Sequence, residues 1–203
     1  MHHRLRVVAA VSVVAAVLLV PALPAQAKNV SIKTWSAGFC KAFAGWQSTA
    51  MKAHTLVEDV ITNGVPSSAK AKAARTKIVS ALDAASKKAS STAKTIEGLG
   101  TPKITNGAKI SSTLSSAIDQ TSSTFANAKD DVSGAPTDPK KFQSTIKTIT
   151  TKVDGELNQA GTNFNKVSTL DTDGALTKAF AATPSCVYLN GGSSGNTNSS
   201  SAS

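Results

Sequence analysis

FCKAFAGWQSTAMKAHTLVEDVI, residues 39–61, carries apolar side chains at Phe39, Phe43, Trp46, Ala50, Ala53, Val57 and Val60. The steps alternate four and three, which places all seven on one face of an α-helix. The same stretch holds Cys40, one of only 2 cysteines in the chain. The other, Cys186, stands near the far end of the chain.

Outward from this helix the chain is punctuated at three places. These are Asn63-Gly64-Val65-Pro66, Gly98-Leu99-Gly100-Thr101-Pro102 and Ser133-Gly134-Ala135-Pro136. Gly and Pro in such clusters end helices and begin turns. The first segment runs from about Thr34 to Thr62. The second, from about Ser67 to Glu97, has the stripe Ala71, Ala74, Ile78, Leu82, Ala85, Ala89, Thr92 and Ile96, with Ser67 or Ser68 as N-cap. The third, from about Ile104 to Val132, has Ile110, Leu114, Ala117, Thr121, Phe125, Ala128 and Val132. In the fourth, Asp138-Pro139 supplies an N-cap and a proline at the first helical position. Its stripe is Phe142, Ile146, Ile149, Val153, Leu157, Ala160, Phe164 and Val167. A short final helix, about Ala175 to Ala182, ends before Pro184.

Short links join antiparallel neighbours. The chain therefore predicts an all-α fold, an up-down-up-down antiparallel four-helix bundle with a short extra C-terminal helix. In that topology the start of the first helix and the end of the fourth share one end of the bundle. Cys40 and Cys186 then lie close, and one disulfide between them is expected. Free thiols, intermolecular pairing and metal binding by the two sulfurs are the alternatives. The seams are rich in Ala and Thr, so the core is thin and buries little area per residue. An Ala-lined seam leaves a cavity only where its helices separate.

The N-terminus predicts export. Arg4 and Arg6 precede an apolar run from Val7 to Val20, then Pro21, Pro24 and Ala25-Gln26-Ala27. This is the form of a signal peptide over residues 1–27, cleaved between Ala27 and Lys28. The mature protein is expected to be secreted or held at the cell envelope, an oxidising setting that favours the disulfide. Residues 28–189 form the predicted helical domain. Residues 190–203, rich in Gly, Ser and Asn, contain nothing that builds a core and predict a disordered tail.

The chain has 22 Lys plus Arg against 12 Asp plus Glu, a net charge of +10. Cleavage would remove Arg4 and Arg6 and lower this to +8, leaving Arg75 as the last arginine. A lysine surface gives a diffuse positive field without the bidentate recognition that Arg supplies. Solvation of the helix faces is the expected use of this charge; the alternative is a partner, an anionic cell-surface polymer or another envelope protein, and sequence-specific nucleic-acid binding is not expected.

Candidate chemistry is sparse. His54 is the last histidine after cleavage, with Met51 and Glu58 on adjacent turns; this set matches no common metal site. Asp171-Thr172-Asp173-Gly174 resembles the opening of a calcium loop, but Ala182 stands where its final Glu belongs, so helix capping is the expected role. No phosphate-cradling loop or catalytic cluster is present, so no enzyme and no cofactor is expected. Asn29-Val30-Ser31 and Asn198-Ser199-Ser200 fit the N-glycosylation pattern.

Ala27 as the export boundary, Phe39-Cys40 near the start and Pro184-Ser185-Cys186 near the end resemble the small exported Ala/Thr/Lys-rich helical proteins of actinobacteria. That resemblance implies a helical bundle and an extracytoplasmic place, and carries over no catalytic residue. The expected role is a non-enzymatic binding or structural protein at or outside the cell envelope. The competing expectation is a carrier of a small molecule or metal in the bundle interior.

Overall fold

A computed structural model describes residues 28–186. The predicted signal peptide with Ala27, the stretch 187–189, the predicted tail and the Asn198 motif lie outside the described residues. The elements are β1 (Asn29–Val30), α1 (Ile32–Asn63), α2 (Ser68–Gly98), β2 (Thr101–Pro102), α3 (Gly107–Ser133), α4 (Pro139–Leu170) and α5 (Ala175–Ala181).

Three of the four long helices, α1, α2 and α4, start at a side-chain cap. The side chains of Ser31, Ser67 and Asp138 accept the backbone N–H groups of Thr34, Lys70 and Lys141 at 3.2, 3.3 and 3.0 Å. These bonds satisfy donors that have no intrahelical partner. α1 ends at Gly64, whose φ of 65° is accessible to glycine at little cost.

Cross-helix bonds run in opposite order along neighbouring helices, so the helices are antiparallel. The Thr92 hydroxyl donates to the Ala42 carbonyl, which pairs α2 with α1. Ser86 faces Ser122, and Arg75 donates to the Ala135 carbonyl beyond the end of α3. Lys152 meets Asp131, and Asn163 meets Gln120, which pairs α4 with α3. Gln143 donates to the Ile61 carbonyl, and Phe43 packs edge-on to Phe164, which pairs α4 with α1.

The Cys40–Cys186 disulfide closes the end where α1 begins and α5 finishes, with Cα atoms 5.0 Å apart. Trp35, Phe39, Phe43 and Phe180 stack beside it, with successive ring centroids between 5.3 and 5.7 Å apart.

Two features depart from the sequence reading. The first is a two-residue parallel pairing of β1 with β2, where no strand was expected. Pro102 biases Thr101 towards extended backbone, and Thr101 and Lys103 donate to the Lys28 and Val30 carbonyls at 3.0 and 2.9 Å. This pairing moves the start of α3 from the expected Ile104 to Gly107. The second concerns the stripes. Those of α2 and α3 are buried nearly throughout, but α4 buries only Phe142, Ile146, Ala160 and Val167. Ile149, Val153, Leu157 and Phe164 are half-buried, as are Phe43, Trp46, Ala50 and Val57 on α1.

Candidate functional site

These half-buried residues face one another across a slot between α1 and α4. Large side chains hold the two helices apart at both ends. Phe43, Trp46 and Phe164 stand at one end, with Phe43 and Trp46 centroids 5.0 Å apart and Phe43 and Phe164 centroids 5.8 Å apart. At the other end, Gln143 reaches the Ile61 carbonyl at 2.8 Å. Between these ends α1 offers Ala50 and Ala53, which are too short to fill the gap. The result is a cavity of about 410 Å³.

The floor of the slot is Leu82 from α2 with Phe125, Ala128 and Val132 from α3. Its walls are Trp46, Ala50 and Val57 on α1 and Ile149, Val153 and Leu157 on α4. Apart from the Trp46 indole N–H, which is buried without a hydrogen-bond partner, the polar groups of the slot lie along the rim, where Gln47 and His54 on α1 approach the level of Thr150 and Asp154 on α4. Met51 also lies on the rim and is 58% exposed, an unusual position for a large apolar side chain. Buried apolar walls with a few polar groups at the opening are the general form of a small-molecule site, and 410 Å³ falls within the usual size range.

His54 belongs to this rim, and its Nε2 lies 3.8 Å from Glu58 Oε1. Among the described residues no group of three or more His, Cys, Asp and Glu could hold a metal ion. Asp171 and Asp173 lie at the opposite end of α4 from its N-cap and serve α5. Asp171 accepts from the backbone N–H groups of Leu176 and Thr177, both at 2.9 Å, and from the Thr177 hydroxyl at 2.8 Å. Asp173 accepts from the Ala175 N–H at 3.1 Å. Burial alone would raise the Asp171 pKa, but these bonds together hold it below its ordinary value. Lys28 is exposed, and its carbonyl joins the β1–β2 pairing.

The slot was legible only in outline. Ala50 and Ala53 interrupt a stripe of larger side chains, and separation of that seam is the condition for a cavity. Nothing in the periodicity shows that α4 stands off from α1 and not from α3. Compared with family models, with curated proteins and with solved structures, the chain matches none.

Proposed function

We propose that this chain is an exported, non-enzymatic helical bundle that binds an apolar small molecule in the slot between α1 and α4. The slot carries the proposal. A bundle stabilised by burial gains by closing an apolar gap, yet this one holds about 410 Å³ open with aromatic side chains at one end. The buried disulfide between Cys40 and Cys186 supports an oxidising, extracytoplasmic setting. No described helix is long and apolar enough to cross a membrane.

The test is titration with an apolar dye that fluoresces on leaving water. Saturable binding of one dye per chain is expected, weakened by Ala50→Leu, whose added side chain narrows the slot. Circular dichroism and the melting temperature of A50L separate a narrowed slot from a misfolded chain. Unsaturable binding, or binding unchanged in a folded A50L protein, would count against the slot as a ligand site.

A further inference from the structure

The slot's shape and its rim narrow the ligand class. A compact cavity of about 410 Å³ would be roughly 9 Å across, but α1 rises about 21 Å between Phe43 and Val57, which both line the slot. The space is therefore long and thin. It is longer than one leaflet of a bilayer, which is about 15 Å, half of a ~30 Å hydrocarbon core. A single long alkyl chain fits this shape, and a compact ring system does not use its length.

The rim decides the head group. The chain carries 22 Lys plus Arg, yet no Lys or Arg lines the slot. The ionisable groups on the rim are His54 and Asp154, and Glu58 sits 3.8 Å from His54. Among the described residues Asp154 takes part in no ion pair. The nearby Lys152 is turned to Asp131, 3.0 Å away on α3. An anionic head would meet carboxylates here without a lysine partner. A neutral or cationic head would meet carboxylate, imidazole, amide and hydroxyl groups able to hydrogen-bond it.

We infer that the ligand of this slot is a single-chain amphiphile with a neutral or cationic head, its alkyl chain lying along the slot and its head leaving through the rim at Gln47, His54, Thr150 and Asp154. This inference rests on the slot being a ligand site.

Isothermal titration of the secreted protein tests it, using monopalmitoylglycerol, hexadecyltrimethylammonium, palmitate and pyrene, each below its aggregation threshold. Monopalmitoylglycerol and the ammonium ion should bind one per chain. Palmitate should bind about fivefold more weakly or worse, the scale of one unscreened repulsion of about 1 kcal/mol. Within the monoacylglycerol series, affinity should rise about fourfold per methylene, the equivalent of ~0.8 kcal/mol each, and level off once the slot is full. Asp154→Lys should narrow or reverse the preference against palmitate. Palmitate binding as tightly as monopalmitoylglycerol overturns the head assignment. Pyrene binding in the absence of any chain binding overturns the inference and leaves the ligand site standing. Binding of none of the four removes both.

Discussion

Ser86 and Ser122 exchange hydrogen bonds across the α2–α3 seam: each hydroxyl donates to the other residue's backbone carbonyl, at 2.9 and 3.0 Å. The two oxygens lie 3.2 Å apart. Such bonds require the helix backbones to come close, which only small residues allow at this point. Ser86→Ala should cost about 1 kcal/mol, the net worth of one hydrogen bond. Ser86→Leu should cost roughly 1 to 3 kcal/mol, because the larger side chain wedges the seam open. In a denaturant-unfolding cycle, Ser122→Ala added to Ser86→Ala should cost less than it does alone, since paired residues are not additive. Strict additivity would show that the two hydroxyls act independently.

The α2–α3 seam also shows how far the sequence could be read. The stripe of threes and fours from Ala71 to Ile96, and that from Ile110 to Val132, marked faces that are buried. The caps at Ser67 and Asp138 were equally legible, because a side chain bonds a backbone three residues on and needs no distant partner. The pairing of Cys40 with Cys186 followed from the expected topology and the expected compartment together. Three things were not legible. Trp35 was outside the expected stripe, yet it is fully buried, because the β1–β2 pairing closes over that end of the bundle. That pairing depends on backbone groups 72 positions apart in register, Asn29 with Thr101, and leaves no periodic trace. The α4 stripe looked the most regular of the four, but apolar periodicity does not distinguish a buried face from the wall of a slot.

The disulfide should carry a large share of the stability. It closes a loop with a sequence separation of 146, for which loop entropy gives roughly 4 to 5 kcal/mol. The thin Ala/Thr core has little in reserve to offset that loss. Reduction, or Cys40→Ser with Cys186→Ser, should lower the melting temperature markedly in a calorimetric scan. Both cysteines are at most 1% exposed, so reduction of the folded protein should be slow without denaturant. A reduced protein melting with the oxidised one would show that the clasp is unimportant.

Asp171 should make stability sensitive to acid. Burial opposes its charge, but the bonds from the Leu176 and Thr177 amides and the Thr177 hydroxyl outweigh burial and hold its pKa below the ordinary 3.8. A carboxylate with a lowered folded-state pKa stabilises the fold above the unfolded value, and this contribution disappears as pH falls through the folded value. The bonds anchor α5, whose Leu176 is buried and whose Phe180 stacks on Phe39 at 5.4 Å. Asp171→Asn should therefore cost about 1.5 to 3 kcal/mol near neutral pH, the range for bonds to a charged group. The gap between the two proteins should shrink below about pH 4. A gap independent of pH would show that charge is not what Asp171 contributes.

Trp35 and Gly100 form the last link in the closed end of the bundle. The Trp35 indole N–H donates to the Gly100 carbonyl at 3.1 Å, joining the first turn of α1 to the link between α2 and α3. Gly100 has a φ of 83°, where a side chain is strained, and a Cβ there would run into the Lys28 carbonyl. That same carbonyl accepts the Thr101 N–H in the β1–β2 pairing. Gly100→Ala therefore breaks three arrangements together: the turn, the strand pairing and the seat of the indole. A cost of roughly 2 to 4 kcal/mol is expected, the sum of backbone strain of about 1 to 3 kcal/mol and one hydrogen bond of about 1 kcal/mol. Trp35→Phe keeps most of the packing and removes one donor, and the Ser111 hydroxyl still reaches the Gly100 carbonyl at 3.5 Å, so it should cost less, about 0.5 to 1.5 kcal/mol for the one bond lost. Hydrogen exchange provides the local readout. In both variants the Thr101 and Lys103 amides should exchange faster, while amides beside the slot, such as Val153, should change little beyond the global loss. Equal protection of Thr101 in Gly100→Ala and the parent would mean that the end closes without glycine at this position.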